Sequence, residues 1–211
     1  MIVFPYLLHF LIGLTVCFLG TIPFGPINLT VINTTLKKGL PAAIQVSFAA
    51  ALIEIFQSFV ALYGGLLVIE GIERYPMIKL LLYGGFTVVG LVLIFKKSEH
   101  AGLAPRKIRL KVSHFTKGII VALLNIQAIP FWVFFLTYMK MSRWIDYETS
   151  HLISLFLGIF TGKFLALYCF ALLSMAVSKR MTHISALMNK IFGSVLTTIG
   201  LFQILKFFWF R

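Results

Sequence analysis

Acidic residues, cysteines and charged residues in general are scarce in this 211-residue chain. Asp and Glu together number 6, Cys numbers 2, and charged residues make up 12% of the composition. Cys17 and Cys169 stand in separate apolar runs without CxxC spacing, so no disulfide framework or redox motif is indicated. The acids do not cluster, and the five histidines show no metal-ligand spacing. No hydrolase triad or phosphate-binding loop occurs. We therefore predict no metal site, no cofactor and no enzymatic activity.

Apolar residues are abundant instead. They form 60% of the chain, and the mean hydropathy is +0.98. Soluble domains are about 45–50% apolar and about 25% charged, so the composition predicts an integral membrane protein with the lipid bilayer as its surroundings. The net charge of +13 comes from basic residues in short loops between apolar runs, which argues against a nucleic-acid partner. The length fits a single transmembrane domain over residues 1–211.

Six apolar runs are long enough to cross a bilayer, since a helical span needs about 20 residues. None alternates with a period of two, which excludes the pattern of a transmembrane barrel. The pattern predicts an all-α bundle of six transmembrane helices. The runs cover residues 4–35, 41–69, 76–95, 115–139, 151–177 and 187–208.

The distribution of basic residues predicts the orientation of the bundle. Twelve of the 19 Lys and Arg residues lie in the first, third and fifth loops, and 6 lie in the second and fourth loops and at the C-terminus. By the positive-inside rule, the odd loops are predicted to be cytoplasmic and both termini outside. The third loop, about residues 96–114, is the only long connection. It is interpreted as a solvated cytoplasmic linker, with a contact to anionic lipids as the alternative.

The first apolar run contains a stretch, residues 20–35, that is unfavourable for a continuous helix. Pro23 and Pro26 each remove a helix hydrogen bond, and Gly25 lies between them. Inside a bilayer, an interrupted backbone is tolerated only where protein or a wet cavity covers it. We therefore predict a broken first helix beside a polar cavity. The polar residues that follow are Asn28, Thr30, Asn33, Thr34 and Thr35.

The two halves of the chain, about residues 1–100 and 112–211, resemble each other in order. Three matches occur at offsets of 107 to 110 residues: Ile22-Pro23-Phe24 with Ile129-Pro130-Phe131, Glu54 with Lys163, and 90–96 with 200–206. Because each half has three spans, the second half must enter the membrane from the opposite side. The matches predict an inverted 3+3 repeat, as in many secondary transporters. The fourth helix is then predicted to break at Pro130, near the polar residues Asn125 and Gln127.

Glu54 and Lys163 are predicted to lie at the middle of the membrane. They stand about 12 and 11 residues into spans that run in opposite directions, and each residue rises about 1.5 Å. A charge at that depth costs on the order of 3 kcal/mol. One interpretation is an ion pair that only locks the halves together. The other is functional: Glu54 carries a proton or contacts a substrate ammonium, and Lys163 contacts a carboxylate or keeps Glu54 ionised.

The segment Pro23–Gly39 resembles the opening motif of the lysine exporter (LysE-type translocator) family. Gly25, Pro26, Asn28 and Gly39 are the matching positions. Farther on, Glu54 stands where the family has an aspartate at the end of its second helix, and Ala43, Ala49 and Ile53 replace glycines there. Asn125 matches the Asn of the family's Asn-Pro in the fourth span, with Ile126 in place of the proline. Residues 193–206 fit its last helix.

This resemblance implies a six-span exporter of amino acids or similar small metabolites in the inner membrane, with proton-coupled antiport. Glu54 would be the proton-coupling residue, and Pro23, Pro26 and Pro130 would mark the helix breaks. Two alternatives stay open: a transporter of another class, such as a metal ion, and a scaffold that transports nothing. Bundles of this size can form homodimers, although no interface stands out. The predicted substrate-binding residues are Gly25, Pro26, Asn28, Glu54, Asn125, Gln127 and Lys163.

Overall fold

The computed structural model describes residues 3–23, 25–74, 77–95, 112–125, 128–176 and 181–209. Every regular element in these ranges is a helix, which confirms the all-α prediction. Each of the six apolar runs contains one helix or a pair of helices separated by a break. The helices are α1 (Val3–Thr21), α2 (Pro26–Lys38), α3 (Leu40–Arg74), α4 (Met77–Phe95), α5 (His114–Leu123), α6 (Ala128–Met141), α7 (Thr149–Ala176) and α8 (Met181–Trp209). The third loop is outside the described residues from 96 to 111.

Three helical segments among the described residues are long and apolar enough to cross a membrane on their own. They are Phe4–Thr21, Leu40–Leu66 and Thr149–Met175. The pair α5 and α6, bent by 64° at its break, provides a fourth span if both helices count as one. Within α4 the described apolar segment is shorter, Tyr83–Val92. The structure therefore contains three clear candidate spans, and the six-span inverted repeat stays a prediction.

The first helix is interrupted where the two prolines lie. The α1 helix ends at Thr21, and α2 begins at Pro26, after an extended Gly25 with φ −123° and ψ 178°. Proline is well suited to the first position of a helix, because the N–H that it lacks would have no partner there. The buried Asn28 side chain donates hydrogen bonds to the carbonyl oxygens of Thr21 (2.7 Å) and Pro23 (3.2 Å). These bonds satisfy carbonyls that the end of α1 leaves unpaired.

The fourth predicted span is also interrupted, but the break lies ahead of the predicted position. The α5 helix ends at Leu123 and α6 begins at Ala128, so Pro130 lies in the first turn of α6 and does not itself form the break. The reason is that the first N–H groups of a helix have no intrahelical partner, so a proline is tolerated there. Gln127 and its neighbour at 126 are outside the described residues.

The first broken helix packs along α7, and the two run in the same direction. Phe10 lies beside Gly158, and Leu14 lies beside Gly162. A Cβ atom added at either glycine would collide with the backbone of α1, so the GxxxG pattern of α7 provides close helix contact. Farther along, α2 continues beside α7 in a core that includes Ile27, Val31, Leu167, Phe170 and Ala171.

The second broken helix packs along α3 in the corresponding way. Gly118 of α5 lies against Val46, and Thr137 of α6 lies against Gly65, so α5, α6 and α3 run in the same direction. Each broken helix thus contacts a continuous helix that belongs to the other half of the chain. The α4 and α8 helices form a separate antiparallel pair, in which Gly90 lies against Gly193.

Candidate functional site

The centre of the bundle contains an ion pair between α3 and α7. The Nζ atom of Lys163 lies 2.9 Å from Oε2 of Glu54, and each side chain is only 6% exposed. The indole N–H of the fully buried Trp132 donates a hydrogen bond of 2.8 Å to the other carboxylate oxygen. Both oxygens of Glu54 therefore have a nitrogen partner. We refer to Glu54 and Lys163 as the buried ion pair.

Four helices meet around the buried ion pair. Small residues precede Glu54 on α3, where Ala50 and Ala51 are fully buried, and Gly162 precedes Lys163 on α7. Trp132 comes from the second turn of α6, shortly after the second break. The α1 helix contributes Cys17, which is 2% exposed and shares a core cluster with Trp132. Cys17 is one turn before the end of α1, so the pair is near both interrupted helices.

The two partners compensate each other's charge in a place that is almost completely buried. Removing one partner of a buried pair leaves an uncompensated charge and costs about 3–5 kcal/mol. A hydrogen bond to a charged acceptor, such as that from Trp132, contributes roughly 1.5–3 kcal/mol. At 6% exposure the pair is occluded in this conformation. A solute therefore reaches it only after the surrounding helices move.

Gln57 is a further polar residue of this region, and it was not among the predicted site residues. It lies three residues after Glu54 on α3 and is buried. Its Nε2 donates a 3.0 Å hydrogen bond to the carbonyl oxygen of Ala122, near the end of α5. Its Oε1 is buried and has no hydrogen-bond partner among the described residues. The signal available in the sequence was the i, i+3 spacing, which places Gln57 and Glu54 on one helix face.

The other predicted site residues lie at the two breaks. Asn28 directs its side chain to the backbone at the end of α1, as described above. Gly25 is half-buried, and a Cβ atom added there would meet no atom within 4 Å, so the space beside it is open. Pro26 is exposed at the start of α2.

At the second break, Asn125 bridges α5 and α6 through its backbone. Its N–H donates to the Ala122 carbonyl, and its own carbonyl accepts from the Ala128 N–H, at 3.0 and 3.1 Å. Gln127 lies outside the described residues. Of the predicted substrate-binding set, the structure brings Glu54 and Lys163 into direct contact, and it places Asn28 and Asn125 at the breaks.

The histidines show no metal-ligand spacing in the sequence, but the fold brings two of them together. His9 of α1 and His151 of α7 have ring centroids 4.9 Å apart, and both contact Asp146, which belongs to the segment between α6 and α7. We refer to these three residues as the outer cluster, because the predicted topology places this end of the bundle outside. No spacing in the sequence indicated this contact, since His9 and Asp146 are 137 residues apart.

Comparison with known proteins gives one match. The family model described as LysE type translocator matches residues 18–206, which is most of the chain and includes both breaks and the buried ion pair. No curated protein and no solved structure matches the chain.

Proposed function

The chain belongs to the LysE type translocator family, as its resemblance predicted, and on that premise we propose that it is a secondary-active exporter of amino acids or similar small zwitterions. The family makes it a membrane transporter of small solutes. The finer proposal places it in the inner membrane with both termini outside. The observation that carries it is the buried ion pair, in which 2.9 Å separates Glu54 Oε2 from Lys163 Nζ.

A buried pair of opposite charges is complementary to a zwitterion. In the proposed complex, the ammonium of an amino acid replaces Lys163 beside Glu54, and its carboxylate replaces Glu54 beside Lys163. Both buried charges stay compensated during this exchange. A solute with a single charge would leave one partner uncompensated, at a cost of several kcal/mol. The Oε1 atom of Gln57, which has no hydrogen-bond partner in the described part of the chain, would accept a hydrogen bond from the ammonium.

Proton coupling is assigned to Glu54 in this proposal. Addition of one proton to the Glu54 carboxylate gives a neutral carboxyl group and ends the attraction to Lys163. The proton and the solute ammonium therefore compete for the Glu54 carboxylate, so binding of the proton releases the solute. Trp132 continues to donate to a carboxyl oxygen. The proposed antiport moves a proton inward as the amino acid moves outward.

Alternating access follows from the arrangement of the two broken helices. The contact of α1 and α2 with α7, and of α5 and α6 with α3, supports an inverted repeat whose halves rock against each other. The N-terminal ends of α2 and α6 lie at the breaks. Their free N–H groups and helix dipoles favour a carboxylate at the breaks. We therefore place Gly25 and Pro26, at the start of α2, along the proposed path of the substrate.

The experiment that tests this proposal is transport in proteoliposomes. Wild-type protein is expected to exchange labelled zwitterionic amino acids and to do so faster with an imposed proton gradient. The single variants Glu54→Gln and Lys163→Met are expected to lower the rate by about a hundredfold, the equivalent of roughly 3 kcal/mol. The matched control is Glu148→Gln, because the Glu148 side chain is 64% exposed. Absence of exchange with every amino acid tested would contradict the proposed substrate class.

The double variant Glu54→Gln with Lys163→Met separates a structural pair from a functional one. It removes both charges at once, so no uncompensated charge is left and the protein is expected to be more stable than either single variant. Its transport rate is expected to stay at or below that of the single variants. Recovery of both stability and transport would show that the pair only holds the helices together.

A further inference from the structure

We propose that the outer cluster, formed by His9, Asp146 and His151, is a binding site for a divalent cation of the zinc type. The nearest ligand atoms of these three residues all lie within 4.8 Å of one another. His151 Nδ1 is 2.8 Å from Asp146 Oδ1, and His9 Nε2 is 3.9 Å from the same oxygen. This site is separate from the buried ion pair and does not depend on the proposed transport function.

The distances suit tetrahedral coordination. Zinc binds imidazole nitrogen and carboxylate oxygen at about 2.0–2.2 Å, so neighbouring ligand atoms of a tetrahedral site lie roughly 3.3–3.6 Å apart. The separations of 2.8 and 3.9 Å fall on either side of that value, and all three ligand atoms lie within 4.8 Å of one another. A donor set of two imidazoles and one carboxylate favours zinc over magnesium or calcium. Side-chain shifts of up to about 1 Å bring the three atoms to the tetrahedral spacing and fill three of the four positions.

The orientation of His9 is fixed in the way that metal ligands require. Its Nδ1 lies 2.7 Å from the carbonyl oxygen of Pro5, which can only accept, so Nδ1 carries the ring proton. The lone pair is then on Nε2, which faces the segment between α6 and α7 and accepts a hydrogen bond from the backbone N–H of Asp146 at 3.2 Å. A metal ion at Nε2 would break this hydrogen bond and take its place. A histidine ligand held through its other nitrogen by a carbonyl is the usual outer-shell arrangement of zinc sites.

His151 and Asp146 share a proton that a metal ion would replace. In the present contact the Nδ1–H of His151 donates to the Asp146 carboxylate. For M²⁺ to bind at Nδ1, that proton moves through water to Nε2 of the same ring, which stays neutral. One bond then forms from the metal to Nδ1 and one to the carboxylate oxygen. The Oε2 atom of Glu148 is 3.6 Å from His151 Nδ1, so a second carboxylate lies beside the three ligands.

Asp146 is suited to this role because it is both charged and accessible. Partial burial acts to raise the pKa of its carboxyl group, but hydrogen bonds from His151 and from the Glu148 backbone N–H, together with nearby His9, hold that pKa below its usual value. The Asp146 side chain is 51% exposed. Asp146 and His9 also line an open cavity of about 520 Å³, which gives an ion a path from solvent.

Two basic residues, Lys140 and Arg143, line the same cavity and oppose a cation there. The Nζ atom of Lys140 lies over the ring of Tyr147, 4.8 Å from its centroid, so its charge is held against an aromatic face. The two carboxylates of Asp146 and Glu148 are equal in number to these cations. A bound ion would fasten the segment between α6 and α7 to both α1 and α7.

The test is zinc binding to the purified full-length protein in detergent, carrying no polyhistidine tag. Wild-type protein is expected to bind one Zn²⁺ per chain in a competition titration with a zinc-binding dye. The variants Asp146→Asn and His151→Asn are expected to lower the affinity by at least roughly tenfold, since each removes a ligand. The control His114→Asn removes a histidine at the start of α5, away from the cluster, and is expected to bind like wild type.

Asp146→Asn is the decisive variant, because the Asp146 side chain is 51% exposed and its replacement is expected to leave the fold intact. Zinc X-ray absorption gives a second measurement, with two imidazoles and oxygen at about 2.0–2.1 Å expected around the metal. The proposal is overturned if wild-type protein binds no zinc, if Asp146→Asn and His151→Asn bind as tightly as wild type, or if the spectrum shows only water ligands.

Discussion

The buried ion pair and the outer cluster each have a member on α7, Lys163 in the first and His151 in the second. In each site one carboxylate contacts two nitrogen groups. Glu54 contacts Lys163 and Trp132, while Asp146 contacts His151 and His9. The partners of Glu54 can only donate hydrogen bonds, because neither an ammonium nor an indole N–H has a free lone pair. Imidazoles have such a lone pair, so the partners of Asp146 can bind either a proton or a metal ion.

The two sites also differ in how deeply their side chains are buried. The side chains of the buried ion pair are 6% exposed, whereas that of Asp146 is 51% exposed. At the deep site a missing charge is costly, so the proposed solute needs both charges to substitute for the pair. At the shallow site water compensates a missing charge, so the proposed metal ion would be able to enter and leave. The comparison indicates that one family scaffold carries two distinct polar sites on α7.

The largest effect is expected from neutralising one member of the buried ion pair. Glu54→Gln or Lys163→Met should lower the free energy of unfolding by about 3–5 kcal/mol, because the remaining charge is buried without a partner. Asp146→Asn, without added metal, should change it by no more than about 1 kcal/mol, since exposed ion pairs contribute little. Thermal unfolding in detergent measures both. Equal effects at the two sites would contradict the difference in depth.

The next effect concerns metal binding at the outer cluster. Zinc at a hundred times its dissociation constant should stabilise wild-type protein by about 2.7 kcal/mol, because the ion binds only the folded state. The Asp146→Asn variant should gain little from the same addition. The Glu54→Gln variant, which leaves the outer cluster intact, should gain as much as wild type. The measurement is the melting temperature with and without zinc, with a chelator to restore the starting value.

A smaller effect is expected at Trp132. The change Trp132→Phe keeps an aromatic ring in the core but removes the N–H that donates to Glu54. Loss of a hydrogen bond to a charged acceptor should cost roughly 1.5–3 kcal/mol. Trp144→Phe is the matched control, because Trp144 is exposed. If Trp132→Phe leaves both stability and transport unchanged, the hydrogen bond from Trp132 to Glu54 has no role at the site.

The smallest effect is expected at the helix contact that supports both sites. Gly158→Ala places a Cβ atom against the backbone of Phe10, and overpacking of this kind costs about 1–3 kcal/mol. The same change at Gly84, where an added Cβ meets no atom within 4 Å, should be neutral or stabilising by up to about 1 kcal/mol, since alanine favours helices. Melting temperatures of the two variants test this. Similar values would show that α1 and α7 are not held at close contact by Gly158.

Local physics allowed much of the fold to be predicted. The apolar runs predicted the helices, and Pro23 and Pro26 predicted the first break, because a proline affects the backbone immediately around it. The prediction based on Pro130 placed the second break too late, because a proline in the first turn of a helix removes no intrahelical hydrogen bond. Gln57 was missed because its contact with Ala122 joins residues 65 positions apart.

The sequence by itself determined that this protein is helical, lies in a membrane and interrupts its first helix, because hydrophobicity and backbone restriction act within a few residues. It also placed Glu54 and Lys163 at a similar depth. The tertiary structure alone decided which side chains meet at that depth and at the outer end. The register of α1 against α7, set by Gly158 and Gly162, brings His9 to His151 across 142 positions of sequence. Such contacts depend on how whole helices pack, which no local pattern specifies.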